Sequence, residues 1–387
     1  MEFALTEEQQ LIVRSTREFV EHELYPHELE IEQSGELRPE LLRELKAKAI
    51  EAGLYAANMP AEVGGAGLDA VTWILYEKEL GRTSYVLHYS CVARPSNILL
   101  ACAGEQRTRY LLPAVRGERS ECLAISEPGA GSDMRGMKTS AVQQGADFVI
   151  NGTKHFISHA DHADFVILFA VTGEEPAARG TRKLITAFLV DVGTPGFEVR
   201  PGYRNVSHRG YNNSILHFNN CRVPATAVLG EVHKGFEVAN TWLGATRLQV
   251  AANCLGRAER ALDHAKQWAV DRVQFGQQIG KFQGVAFKLA DMAMELRAAE
   301  LLTLEAAWKL DQKIATDMDM AIAKLKATEM LAMVADEALQ IHGGMGLMTE
   351  MPLERIWRDA RIERIWDGTS EVQRHIISRA LLRPLGG

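Results

Sequence analysis

The sequence has little cysteine, and what it has is scattered. Cys91, Cys102, Cys122, Cys221 and Cys254 are odd in number and form no C-x-x-C pair, which excludes a disulfide framework and a cysteine zinc site. Reduced core thiols are expected. An excess of charge of one sign is missing too, because 43 Lys plus Arg stand against 50 Asp plus Glu, a formal net charge of -7. Without a basic stripe the chain is a poor nucleic-acid binder. No apolar run reaches the roughly 18 residues that span a bilayer, and the opening MEFALTEEQQ has neither signal-peptide nor transit-peptide composition. The expectation is a protein of a reducing, bacterial cytoplasm with no membrane partner. Phosphate-loop motifs are also lacking. Gly280-Lys281 is followed by Phe282, and the glycines of 125–133 lack the G-x-G-x-x-G spacing, so Walker A and Rossmann turns are excluded.

What is present is a 387-residue chain with 47% hydrophobic and 24% charged residues, long enough for two or three cores. Its punctuation predicts an α+β protein in three parts. Residues 1–117 read as an all-α domain whose first helix opens at a capping-box-like Thr6 to Gln9. Residues 118–229 change to short β-branched runs, at 123–125, 148–150, 165–170, 185–190 and 215–218, separated by Gly, Pro and Asn. That texture predicts an antiparallel β-barrel or sandwich, with the polar stretch 172–183 as a hairpin connection. No proline lies between Pro224 and Pro352, so residues 230–387 are expected to form a four-helix-bundle domain. Its stripes Val250, Cys254, Ala258, Leu262 and Met292, Leu296, Ala299, Leu302 are read as core.

Four polar or Gly-rich stretches interrupt this pattern. They are ISEPGAGSD at 125–133, RVQFGQQIGKFQ at 272–283, QIHGGMG at 340–346, and RDARIERIWDGTSEVQ at 358–373. In the last, Ser370 and Gln373 make an S-x-x-Q box opening a final helix, which puts Asp367 on the turn before a helix N-terminus. His155, His159 and His162 have tempting spacing, but a strand over 155–158 points alternate side chains apart, so no metal is expected.

With PAEVGGAGL at 60–68, KHFIS at 154–158 and RVPATAVL at 222–229, these motifs agree in order and spacing with one family over nearly the whole chain. The sequence resembles the FAD-dependent acyl-CoA dehydrogenases. The resemblance implies FAD lined by Leu123, Ile125, Ser126, Gly131 and Ser132, with Phe156 where many members have tryptophan and Ser158 where many have threonine. It implies further FAD contacts at Gln340, Gly343, Gly344, Thr369 and Ser370. Arg272, Gln274, Phe275 and Gln283 would reach the cofactor of a neighbouring subunit in a homotetramer, a dimer of dimers. Ser132, Arg247 and Gly368 would meet the acyl-CoA, and Trp242 and Leu243 would line the acyl pocket. Asp367 stands where most members carry a catalytic Glu, and Thr246 occupies the alternative position of that Glu. Asp367 is therefore the expected base, its backbone N-H and a ribityl hydroxyl of FAD the expected partners of the thioester oxygen. Glu371 departs from the usual Gln, and 205–214 departs from the usual CoA-gripping run. The resemblance also implies an electron-transferring flavoprotein as acceptor and favours a short or branched acyl group. The alternative is a flavin oxidase or monooxygenase of the same fold, because nitroalkane oxidases use Asp as base.

Overall fold

The computed structural model describes residues 4–177 and 180–385, without the side chains of Thr241 and Trp242. The chain begins with six helices: α1 (Glu7–Phe19), α2 (Glu28–Ser34), α3 (Pro39–Glu51), α4 (Ala70–Leu80), α5 (Tyr85–Cys91) and α6 (Leu112–Val115). Thr6 caps α1 as its sequence predicts, accepting from the Gln9 N-H while the Gln9 side chain accepts from the Thr6 N-H.

Eight strands follow: β1 (Glu121–Ala124), β2 (Ser140–Gln144), β3 (Asp147–Ser158), β4 (Phe165–Pro176), β5 (Thr181–Asp191), β6 (Phe197–Pro201), β7 (Asn213–Pro224) and β8 (Val228–Leu229). They form one sheet in the order β6-β7-β3-β2-β4-β5-β8, with β1 also on β4. Two pairings, β1 with β4 and β2 with β4, are parallel, so the sheet is mixed where pure antiparallel pairing was expected. The Phe148 and Phe188 rings lie 5.2 Å apart although β2 and β4 separate their strands. A flat sheet would hold them more than about 10 Å apart; this one is curled. The run Phe165 to Ala170 is apolar throughout because both faces of β4 are buried: Phe165, Ile167 and Phe169 against the first helices, Val166, Leu168 and Ala170 inside the curl. Most of the polar stretch 172–183 is ladder rather than loop, with Gly173 to Pro176 paired to Thr181 to Leu184.

The last part holds α7 (Gly235–Asp271), the small ribbon β9 (Val273–Gln274) and β10 (Gln277–Gln278), then α8 (Gln283–Asp311), α9 (Asp317–His342), α10 (Pro352–Glu363) and α11 (Ser370–Leu382). The two predicted stripes lie in its core, with Leu302 half-buried at the edge. Helix α4 also packs on α7. A Cβ on Gly256 would lie 1.9 Å from the Lys78 carbonyl oxygen, so only glycine permits the approach. All five cysteines are free and buried.

Candidate functional site

A cavity of about 860 Å³ opens where the curled sheet meets α5, α7 and the α10–α11 turn. Its first wall is the 125–132 loop. Glu127 carries that loop, accepting from the Lys138 N-H at 2.7 Å, the Thr139 N-H at 3.0 Å and the Lys154 ammonium at 2.8 Å. Lys154 also donates to the Ile125 carbonyl, and the His155 N-H to that of Ser126. Burial pushes Lys154 down to about 8, against the pull of Glu127. Two motifs that are separate in sequence are thus one unit. The register of β3 slips between Lys154 and Ile157, which pairs again with Ser214 as Ser158 does with Asn213, so a bulge at 155–156 interrupts the regular alternation expected. Phe156, at φ +55°, is turned outward by it and is 54% exposed on the cavity wall. Ser158 stands beside it, bonded to Asn213.

The opposite wall is the turn after α10. Asp367 lies at φ +51° and Gly368 at +90°, backbone that costs a non-glycine residue about 1–3 kcal/mol. A Cβ on Gly368 would meet the Gln373 side chain at 2.6 Å. The cap of α11 is Thr369, which accepts from the Val372 N-H, rather than Ser370. Thr369 alone has the extended backbone a cap requires, and Ser370 Oγ is buried without a partner among the described residues. Gln373 donates instead to the Gly368 and Asp367 carbonyls, at 2.8 and 3.4 Å.

Asp367 is half-buried at this wall and accepts from Thr246 Oγ1 at 3.2 Å. Burial pushes its carboxyl above the ordinary aspartate range, and Lys324, Thr246 and Arg247 oppose that rise. A carboxylate with its pKa raised in this way is chemically suited to accept a proton. Around it stand Tyr85, Tyr89, Tyr211 and Trp366, with Tyr85 4.6 Å from the Trp366 ring and 4.8 Å from His208. Behind them Glu363 binds Arg257 at 2.6 Å, His208 at 3.2 Å and the Trp366 Nε1 at 2.8 Å.

The cavity collects Leu123, Ile125, Ser126, Gly131, Ser132, Phe156, Ser158, Leu243, Thr246, Asp367, Gly368 and Thr369. Ser370 is buried behind Thr369, and Glu371 is exposed in the first turn of α11, where a carboxylate is favourable. Arg247 is turned to Asp317 at 3.2 Å and does not line the cavity. Arg272, Gln274, Phe275, Gln283, Gln340, Gly343 and Gly344 lie exposed elsewhere on the surface, and one chain does not bring them to the cavity. The Trp242 side chain falls outside the described residues. Sequence reasoning missed the tyrosines, the Glu363 network and Lys324, whose ammonium donates to the carbonyls of Trp366 and Gly368. The departing 205–214 segment signalled part of this, since His208 and Tyr211 lie within it.

The residues present fit FAD. A Cβ on Gly129 or Gly131 would meet nothing within 4 Å, leaving room for backbone to approach a ligand. The volume and the exposed Phe156 ring suit a flat aromatic group.

Models of the acyl-CoA dehydrogenase N-terminal, middle and C-terminal domains match residues 6–118, 122–221 and 233–382. The mitochondrial short-chain specific acyl-CoA dehydrogenase of Homo sapiens is 37% identical, covering 98% of this chain and 91% of its own. A subunit of the caffeyl-CoA reductase-Etf complex of Acetobacterium woodii is 36% identical over 98% of this chain and 99% of its own. The structure of butyryl-CoA dehydrogenase from Megasphaera elsdenii superposes with a TM-score of 0.90 at 35% identity, covering 99% of this chain and all of that one. The chain belongs to the acyl-CoA dehydrogenase family, as an FAD-dependent oxidoreductase that acts on acyl-CoA.

Proposed function

We propose that the protein converts an acyl-CoA to its trans-2-enoyl-CoA, with Asp367 removing the α-proton of the thioester. The observation that carries this reading is the Asp367 carboxylate itself, half-buried on the cavity wall with one neutral donor, Thr246, on one oxygen. FAD, when bound, supplies the acceptor for the hydride leaving the β-carbon. Leu123, Ile125, Ser126, Gly131, Ser132, Phe156, Ser158 and Thr369 would hold it along the sheet side. The Asp367 N-H meets no acceptor among the described residues, and it serves the thioester oxygen as charge grows there.

The acyl group is proposed to be short or flat. Tyr85, Tyr89, Tyr211 and Trp366 crowd the space beside the carboxylate, and aromatic walls suit a compact or aromatic acyl group. Relatives named for short-chain acyl-CoA and for caffeyl-CoA support that choice. The acceptor is proposed to be an electron-transferring flavoprotein, as the Etf complex of the second relative suggests. The assembly is proposed to be a homotetramer whose neighbouring subunit brings the exposed Arg272, Gln274, Phe275 and Gln283 to the cofactor, with Gln340, Gly343 and Gly344 completing it. Anaerobic titration with acyl-CoAs of graded length, branching and aromaticity tests the reading. Flavin bleaching by butyryl- or 3-arylpropionyl-CoA is expected, with reoxidation by a dye or flavoprotein acceptor. Stoichiometric oxygen consumption with a nitroalkane and no bleaching by any thioester would contradict it.

A further inference from the structure

We propose that Lys324 is the positioning residue of the Asp367 turn, its ammonium gripping the carbonyls on both sides of Asp367 so that the Asp367 N-H faces the cavity. The proposal rests on Asp367 being the base. Lys324 sits about two turns into α9, is 1% exposed, and donates to the Trp366 carbonyl and, at 2.6 Å, to that of Gly368. A trans peptide points its C=O and N-H in opposite directions. Holding the Trp366 carbonyl against α9 therefore aims the Asp367 N-H the other way, toward the cavity that Asp367 lines. The turn needs such a grip, because two successive residues hold left-handed backbone. Gln373, on α11, grips the Asp367 and Gly368 carbonyls beside it, so two helices fix three consecutive carbonyls.

Lys324 also places a buried positive charge against a base that burial would otherwise neutralise. The charged groups around the pair come from each packed element: Arg247 and Cys254 on α7, and Glu363 on α10, which is itself matched by Arg257 and His208. Tyr85, Tyr89 and Tyr211 face Asp367 from the remaining sides. Lys324 does not line the cavity; it acts through the turn it holds and through its charge on the Asp367 carboxylate.

The test uses FAD-loaded protein and the rate of anaerobic bleaching as a function of pH. Lys324→Gln removes the charge and shortens the grip; its limiting rate should fall about 100-fold, the scale of a reacting group displaced by about 1 Å. Its pH midpoint should rise by about one unit, since an opposite charge that favoured the carboxylate is gone. Lys324→Arg keeps the charge on a longer planar head; its rate should fall while the midpoint stays. If Lys324→Gln does not retain flavin, Lys324→Arg carries the test. A flavin-loaded variant that bleaches at the original rate with the original midpoint overturns the proposal, whatever its melting temperature. Asp367→Asn separates the two claims: full bleaching there removes the base assignment itself, whereas lost bleaching there with unchanged Lys324 variants removes only the role of Lys324.

Discussion

Asp367 stands out in its motif as the proposed base, but its surroundings come only from packing. A Thr at 246 reads in sequence as the absence of a rival carboxylate. In three dimensions its hydroxyl reaches Asp367 Oδ2, so Thr246 steadies the carboxylate as a donor. Thr246→Val should remove a donor that favours the charged form and raise the pH midpoint of bleaching by about one unit. The limiting rate at high pH should change little. A midpoint that stays or falls, measured by stopped-flow over pH 5 to 9, would contradict this. Lys324 was not legible because Lys324 and Lys326 look alike in the run AKLKA; the fold buries the first and leaves the second half-exposed beside Glu295. Arg247, prominent in the motif, is turned to Asp317.

At the scale of elements, runs with a single burial pattern were legible and those with mixed surroundings were not. The long helices follow from the proline-free, Ala- and Leu-rich stretch, and β4 from its unbroken apolar run. Strand β6, FEVRP, escaped because it is an edge strand, charged at alternate positions and closed by proline. The contacts that join elements are less visible still. Glu28 on α2 binds Arg260 of α7 at 2.7 and 2.9 Å, Arg355 of α10 at 2.8 Å and Thr83 at 2.7 Å, all buried. Burial pushes its carboxyl up, but the two guanidiniums overcome this and hold it at about 2. A depressed carboxyl stabilises the fold fully above its unfolded value near about 4.3, and that contribution is lost as pH falls toward about 2. Glu28→Gln should lower stability by about 3–5 kcal/mol at pH 7, leaving two buried arginines short of a partner. It should also flatten the acid limb of a melting-temperature profile below about pH 4.5. A profile parallel to that of the unaltered protein would contradict it.

The whole molecule carries apolar surface that one chain does not explain. Phe275 is 94% exposed on the β9–β10 ribbon, and Val273, Phe287, Met345 and Leu347 are exposed as well. Exposed aromatics of this kind mark an interface, and they lie among the residues that the cavity lacks. Phe275→Glu should dissociate the proposed tetramer to smaller species in sedimentation velocity and weaken FAD retention together. Loss of one without the other would separate assembly from cofactor binding.

The central claim is that the Asp367 carboxylate takes the substrate proton, and rapid anaerobic mixing of FAD-loaded Asp367→Asn with a bleaching acyl-CoA tests it most directly. Removing a general base costs about 10²–10⁴ in rate. Yellow protein that binds the thioester but bleaches at least about 100-fold more slowly than the unaltered enzyme is the predicted result; bleaching at an undiminished rate would contradict the account.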